Sequence, residues 1–342
     1  MRAFSALVLA LCVTAGAFGL SDRSHAQSAA DWDKVVSDAK KEGVVVVYSA
    51  FIGSPQTPEV AKLFQAKYGI KVEILDGRPT EIHERIRAEA AANRAIGDVN
   101  LNGSTTLALL REAALLQQHP PIPNAKKLTI EPSAADEMPI FVNAYGLLIN
   151  TKLVPPGDEP KSWQDILDPK WKGKILADQM SATGAGATLF GVLQDKFGTE
   201  FHEKLAKQNL IFSRTIRENP RRVARGEFAM YLPLIVTEMG TLEGLPVKAI
   251  VPQEGLAYTP FALAMIKNAP HPNATRLFMN FYLEPEVQLI YARAGYPIAI
   301  GGLEKDVPEK WRWSVGAKLM GRQKLEGQQE RMTLTEKIYG TK

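Results

Sequence analysis

The sequence predicts an α/β protein of two lobes, each a mainly parallel β-sheet flanked by helices. The β-branched run Val44–Ser49 is typical of a strand that is buried on both faces, and a segment with apolar residues at helical spacing follows it. This strand–helix unit recurs along the chain, which favours parallel strands joined by helices. The length of 342 residues exceeds the size at which a single core usually divides, about 250 to 300 residues.

The first 26 residues predict a signal peptide that is removed on export. Arg2 precedes an apolar core of about a dozen residues, which is too short to span a bilayer. Small residues at Ser24 and Ala26 place the cleavage before Gln27. Cys12 follows Leu11 rather than a small residue, so we expect no lipid anchor. Since Cys12 is the only cysteine, the exported chain excludes disulfides, thiol catalysis and cysteine-ligated zinc.

The composition predicts a soluble globular protein. Apolar residues make up 45% of the chain and charged residues 23%, and no run of twenty apolar residues follows the signal peptide. The formal net charge is only +4. So small a charge argues against a protein that binds nucleic acid by neutralising phosphates.

Each lobe is predicted from its own alternation of strands and helices. Proline-rich breaks at His119–Pro123 and Val154–Pro160 flank an apolar run, Ile140–Ile149, which we expect to cross between the lobes. Tyr258–Ile266 has the same character and is predicted to return. The expected division is therefore one lobe of residues 27–142 with the return segment 258–305, a second lobe of 143–257, and a C-terminal helical segment of 306–342.

The stretch ADQMSATGAGATLFGVL, residues 177–193, predicts an anion-binding turn. An apolar strand leads into it and a helix follows, so free main-chain amides and hydroxyls meet at the positive end of the helix dipole. It lacks the lysine of a nucleotide P-loop and the third glycine of a dinucleotide fingerprint. The alternative is a plain helix cap with tight packing. The predicted ligand-binding residues of this turn are Ser181, Thr183, Gly184 and Gly186.

Other strand ends carry hydroxyl, aromatic or arginine side chains. In open α/β sheets ligands gather at the carboxyl ends of the strands, so these residues are predicted to face one cleft. Each arginine taken alone also fits a solvated surface position. The candidates are Ser49, Phe51, Arg78, Ser104 and Arg217.

Catalytic and metal motifs are absent from the sequence. The histidines after the signal peptide, His83, His119, His202 and His271, lack the paired spacing of a metalloprotease. There is no Gly-x-Ser-x-Gly turn of a serine hydrolase. We therefore expect a protein that is not an enzyme and needs no metal or other cofactor.

The chain resembles the extracellular solute-binding proteins of bacterial ABC importers, in the group that includes ferric-ion-binding periplasmic proteins. The segments that carry the resemblance are VVVVYSA, YGLLINTKLVPP, SWQDILDPKWKGKILAD, SATGAGATLFG, VARGEFAM and NAPHPNATRLFMNFYLEPEVQ. The resemblance implies a type II periplasmic binding fold, two lobes that close on a solute, a periplasmic location and delivery to the transmembrane subunits of a permease. A receptor that must present both lobes is expected to be a monomer.

The resemblance also bears on the ligand. Ferric binders of the group carry a histidine four residues after the tyrosine of the first strand, whereas here Ile52 follows Tyr48 at that spacing. They carry adjacent tyrosines where this chain has Tyr231 followed by leucine. Ferric iron needs several hard donors, so the missing ligands favour a small anionic organic solute. Phe51, Tyr145 and Tyr231 are then expected to form a partly apolar wall. Ferric iron with a bound anion, a ligand sensor and an enzyme on the same fold are the alternatives.

Overall fold

The computed structural model describes residues 31–51, 53–181, 184–215, 217–322, 324 and 326–340. The expected signal peptide and Thr183 lie outside the described residues. None of the described helices is both long and apolar enough to cross a lipid bilayer.

The described chain alternates strands and helices, as the sequence predicts. The helices are α1 (31–42), α2 (Gln56–Tyr68), α3 (Pro79–Ala91), α4 (Ser104–Glu112), α5 (Ala185–Phe197), α6 (Thr199–Ala206), α7 (Asn219–Ala224), α8 (Pro272–Tyr282), α9 (Pro285–Ala292), α10 (Glu309–Val315) and α11 (Gln328–Tyr339). The strands are β1 (Val44–Ser49), β2 (Lys71–Asp76), β3 (Val99–Gly103), β4 (Leu116–Gln117), β5 (Glu137–Asn150), β6 (Ile175–Asp178), β7 (Ile211–Ser213), β8 (Met230–Ile235), β9 (Val247–Ile250), β10 (Leu256–Ile266) and β11 (Leu319–Arg322).

Two long strands hold the sheet together. The strand order is β2-β1-β3-β10-β5-β8-β6-β7, and β5 and β10 pair antiparallel at its centre. On one side β1 pairs parallel with β2 and β3, and on the other β6 pairs parallel with β7 and β8. We call the β1–β3 side the first lobe and the β6–β8 side the second lobe. The predicted α/β class is confirmed, but the parallel strands of the two lobes belong to one continuous mixed sheet, in which β5 and β10 are the crossing strands.

Each lobe has its own apolar core. In the first lobe, the fully buried Phe64 meets the rings of Phe278 and Phe281 with centroids 5.0 and 5.4 Å away. In the second lobe, Trp163 is fully buried and its indole N–H donates to the carbonyl of Gly255 at 2.9 Å. Ser162 accepts from the main-chain N–H of Gln164 and so caps the turn that carries this tryptophan. Trp163 and the cap at Ser162 therefore anchor this segment in the second lobe.

The C-terminal region contacts both lobes. Val307 and Trp311 join the core of the first lobe. Beyond them, β11 pairs with the start of β10, and α11 packs on α5 and α6 of the second lobe. The predicted lobe boundaries at 142/143 and 257/258 fall inside β5 and β10.

Candidate ligand-binding site

A cavity of about 160 Å³ lies between the two lobes, against the crossing strand β10. Five of its lining residues carry aliphatic hydroxyls, and two carry positive charges. The lining residues are Ser104, Thr105, Ser133, Thr188, Tyr258, Thr259, Pro260, Arg322, Lys324 and Glu326.

The first lobe contributes the N-terminal turn of α4. Ser104 and Thr105 open this helix, and the residue before them, Gly103, has no side chain that could cap it. The main-chain N–H groups of such a turn lack partners within the helix and attract negative charge. Ser104 donates a hydrogen bond to the buried carboxylate of Glu137 at 2.6 Å, and Arg111 balances this carboxylate from 2.5 Å. The charge of Glu137 is therefore paired inside the protein, while the oxygen of Ser104 can still accept a hydrogen bond.

Ser133 lies on the loop that enters β5. Its hydroxyl oxygen is buried and has no hydrogen-bond partner among the described residues. A buried hydroxyl without a partner is costly, and a bound ligand or water would satisfy it. Its place on the cavity wall therefore points to a polar occupant.

The crossing strands form the floor of the cavity. Thr259 on β10 accepts a hydrogen bond from the phenol of Tyr145 on β5 at 3.0 Å, and the hydroxyl of Thr188 on α5 lies 3.5 Å from that of Thr259. Burial raises the pKa of Tyr145 to about 12, although its bond to Thr259 opposes the rise. The phenol is therefore neutral at physiological pH. This polar chain links α5 of the second lobe to the crossing strands.

The predicted anion-binding turn is partly occupied by a side chain of the protein. The carboxylate of Asp178, at the end of β6, accepts hydrogen bonds from the main-chain N–H of Gly186 at 3.1 Å and from that of Gln179 at 2.9 Å. Gly186 is needed because a Cβ there would lie 2.5 Å from the carbonyl oxygen of Gln179. Gly184 precedes α5 with φ of 145°, a backbone conformation that favours glycine. The hydroxyl of Ser181 accepts from the side-chain amide of Gln179 at 2.8 Å.

Asp178 bears on what this turn can bind. Burial raises the pKa of its carboxyl above the usual range, although the amides of Gly186 and Gln179 and the charge of Arg214 oppose the rise. A carboxylate that already uses the amide of Gly186 leaves less of the helix end for an external anion. The prediction that Ser181, Gly184 and Gly186 hold a ligand anion stays a prediction.

The remaining predicted residues occupy different surroundings. Ser49 is fully buried, and its hydroxyl accepts from the amide of Phe51. Phe51 packs among the rings of Phe141, Phe261 and Tyr296 at 5.1 to 5.7 Å. The side chains of Arg78 and Arg217 are exposed at the ends of the second and seventh strands, and Tyr231 is 1% exposed in the core of the second lobe. Burial raises the pKa of the Tyr231 phenol above its usual range.

The cavity thus unites one predicted residue, Ser104, with several that the sequence did not reveal. Tyr145 reaches it through Thr259. The one signal that could have revealed Thr259 is that it interrupts an apolar strand with a hydroxyl. Arg322 and Lys324 come from the C-terminal region, where no local pattern indicates a site. Among the described residues, no three histidine, cysteine, aspartate or glutamate side chains are grouped so that they could hold a metal ion.

Sequence comparison finds distant curated relatives. The phosphoglycerate transport regulatory protein PgtC of Salmonella typhimurium is 27% identical over 203 residues, which cover 55% of this chain and 49% of PgtC. The chain spans about half the length of the curated relatives it matches.

Comparison of structures finds similar folds that extend over nearly the whole of each relative. The ferric iron-binding protein A of Mannheimia haemolytica, in an open conformation, has a TM-score of 0.75 at 16% identity, covering 88% of this chain and 100% of that protein. The periplasmic binding protein AfuA of Actinobacillus pleuropneumoniae, with fructose-6-phosphate bound, has a TM-score of 0.55 at 20% identity, covering 87% and 96%. At these identities the likeness is one of fold, which is the type II periplasmic binding fold.

The family itself is settled by the sequence. The family model described as a bacterial extracellular solute-binding protein matches residues 107–318, more than half of the chain. That span includes both crossing strands, the strands β6, β7 and β8 of the second lobe, and half of the residues that line the cavity. The chain belongs to the bacterial extracellular solute-binding proteins.

Proposed function

We propose that the protein is the periplasmic receptor of an ABC importer and that it captures a small anionic organic solute. The candidate solutes are phosphorylated, phosphonate and carboxylate compounds. The observation that carries the proposal is the cavity between the lobes, whose wall combines hydroxyls from both lobes, a helix N-terminus, two cations and one carboxylate, that of Glu326.

The wall of this cavity suits an oxyanion. Hydroxyls and main-chain N–H groups donate hydrogen bonds to phosphate or carboxylate oxygens, and arginine and lysine supply charge. A micromolar dissociation constant needs about 8 kcal/mol. Hydrogen bonds to a charged group contribute about 1.5 to 3 kcal/mol each, so two or three of them with modest apolar burial suffice.

Contacts from both lobes explain how binding is signalled. A ligand that contacts both Ser104 of the first lobe and Thr188 of the second lobe favours the arrangement in which the two lobes are close together. Ligand therefore shifts the population toward a closed form, and the transmembrane subunits of the permease would recognise that form. The receptor needs no catalysis and acts as a monomer.

The names of two relatives are consistent with an anionic solute. PgtC is named for phosphoglycerate transport, and AfuA was solved with fructose-6-phosphate. The Mannheimia protein is named for ferric iron. Ferric iron requires several hard donors, and no three histidine, cysteine, aspartate or glutamate side chains of the described residues are grouped to supply them. The side chains present therefore favour the organic anion over bare iron.

Substituting the cavity floor tests the proposal. Thr259→Val removes the hydroxyl while keeping the shape of the side chain. It should weaken binding of 3-phosphoglycerate about ten- to a hundredfold, the value of one hydrogen bond to a charged group. The matched control is Thr241→Val, at an exposed threonine that donates to the carbonyl of Glu238. Isothermal titration of metal-stripped protein measures both. Unchanged affinity in Thr259→Val would remove the cavity from the proposal.

The same titration tests the residues that the sequence singles out. Arg78→Ala and Ser181→Ala should weaken anion binding without unfolding the protein, because both side chains are polar and outside the apolar cores. If neither changes the affinity, the anion does not bind at the predicted turn, and the cavity beside β10 remains as the site.

A further inference from the structure

We propose that Arg322 binds the charged group of the solute and sets the preference for an oxyanion. Arg322 lies on β11, which belongs to the parallel strands of neither lobe. This inference rests on the proposed function, because it names the residue and the chemical group at the same cavity. The group is a phosphoryl or carboxylate group, which presents two oxygens to a guanidinium.

The fold fixes the backbone of Arg322 at the cavity. β11 pairs parallel with β10, and Arg322 lies opposite Tyr258, which also lines the cavity. After β11, α11 packs on α5 and α6 of the second lobe. There the phenol of Tyr339 lies 2.8 Å from Nδ1 of the buried His202. Arg322 therefore lies between Trp311, which joins the core of the first lobe, and α11, which packs on the second lobe.

The side chain of Arg322 reaches the first lobe. Nη1 donates to the carbonyl of Glu131 at 2.5 Å and Nη2 to the carbonyl of Pro132 at 3.1 Å. These residues immediately precede Ser133, whose buried hydroxyl has no partner in the described part of the chain. Arg322 and Ser133 thus approach the cavity side by side, one with charge and one with an unsatisfied hydroxyl.

Arg322 forms no ion pair within the described part of the chain, although the carboxylate of Glu326 lines the same cavity. A guanidinium has five N–H donors, and the two carbonyls use two of them. No carboxylate of the described residues forms an ion pair with Arg322, whereas Arg111 pairs with Asp136 and Glu137. Lys324, the other cation on the wall, has Asp195 at 3.8 Å. Of the two cations on the cavity wall, Arg322 is therefore the one whose charge and remaining N–H donors are available to a ligand.

The volume of the cavity limits the group that it holds. A water molecule occupies about 30 Å³ of the liquid, so 160 Å³ corresponds to about five water molecules. That space accommodates one phosphoryl or carboxylate group. Because the cavity is open to solvent, its volume describes the space for the charged group of the solute and leaves the length of the rest of the solute open.

Titration of arginine variants tests the inference. The probes are 3-phosphoglycerate, inorganic phosphate and citrate, added to metal-stripped wild-type protein, Arg322→Gln and Arg322→Lys. The control is Arg276→Gln, because Arg276 also donates to a main-chain carbonyl, that of Pro121, but lies outside the cavity. Arg322→Gln should lower the affinity for the anion that binds best by about tenfold or more. Arg322→Lys should lower it less, since lysine keeps the charge but loses the paired donors.

Each outcome decides the inference. The inference is supported if Arg322→Gln loses affinity for the anion, Arg322→Lys keeps part of it and Arg276→Gln binds like the wild type. Wild-type affinity in Arg322→Gln overturns it and leaves the proposed function standing. Equal loss in Arg322→Gln and Arg276→Gln also overturns it, since the effect would then be general. If no anion binds the wild-type protein, the proposed function and the inference fall together. Should Arg322→Gln not fold, Arg322→Lys decides: an unchanged affinity overturns the inference, and a loss supports it.

Discussion

The pH dependence of stability should reveal the contact that attaches α11 to the second lobe. His202 is fully buried, and its Nε2 lies 3.1 Å from the carbonyl of Phe190. A carbonyl only accepts, so Nε2 carries the proton and Nδ1 accepts from the hydroxyl of Tyr339 at 2.8 Å. The ring is neutral in this arrangement. Burial lowers the pKa of His202 from 6.5 to about 4, although the carbonyl of Phe190 opposes the change.

The sign and size of the effect follow from these two pKa values. The unfolded chain takes up a proton near pH 6.5, while the folded protein resists it until about pH 4. The stabilisation is therefore complete above pH 6.5 and is lost progressively as the pH falls to 4. One pKa unit corresponds to about 1.4 kcal/mol, so the full loss is about 3 kcal/mol, of which about 2 kcal/mol falls between pH 7 and pH 5.

Urea unfolding at pH 7 and pH 5 measures this loss. His202→Gln keeps a donor for the carbonyl of Phe190 but cannot titrate. It should be less stable than wild type at pH 7. The difference in the free energy of unfolding between the two proteins should narrow by about 2 kcal/mol at pH 5. His119→Gln is the control, since His119 lies in an exposed loop against the carbonyl of Pro120. A difference between wild type and His202→Gln that stays constant with pH would refute the reasoning.

Two further predictions concern packing. Gly186→Ala should destabilise the protein by about 1 to 3 kcal/mol in thermal unfolding, because the new Cβ would lie 2.5 Å from the carbonyl oxygen of Gln179. Gly157→Ala is the control and should leave the stability unchanged, because its Cβ would meet no atom within 4 Å. Phe64→Ala should cost about 3 to 5 kcal/mol in urea unfolding, since this ring is fully buried among other aromatic rings. Its neighbour Leu63 is 36% exposed, so Leu63→Ala should cost much less, and equal losses would contradict the packing described.

The fold was predictable because its signals are local. The run Val44–Ser49 is a strand with those same bounds, and the apolar runs Ile140–Ile149 and Tyr258–Ile266 lie within the crossing strands β5 and β10. Hydrophobic period and length identify such segments without knowledge of the partner strand. The alternation of strands and helices then restricts the sheet to a parallel arrangement in each lobe.

The cavity was predictable only in part, because it is assembled over long distances in the sequence. Ser104 was found because strand ends converge at one edge of a sheet. The carboxylate that occupies the amide of Gly186 belongs to Asp178, which a strand pattern assigns only to the sheet. Arg322 meets Glu131 across 191 positions of the sequence. Neither contact leaves a periodic pattern, and so neither could be inferred before the structure.

We expect the two lobes to bind an organic anion without metal. Thermal unfolding of metal-stripped protein, with 3-phosphoglycerate, other small anions or ferric citrate added, tests it most directly. A ligand that binds only the folded state, at a hundred times its dissociation constant, adds about 2.7 kcal/mol. The unfolding temperature should rise with an organic anion alone. Stabilisation that appears only with ferric iron, together with a tyrosinate-to-iron absorption band, would contradict it.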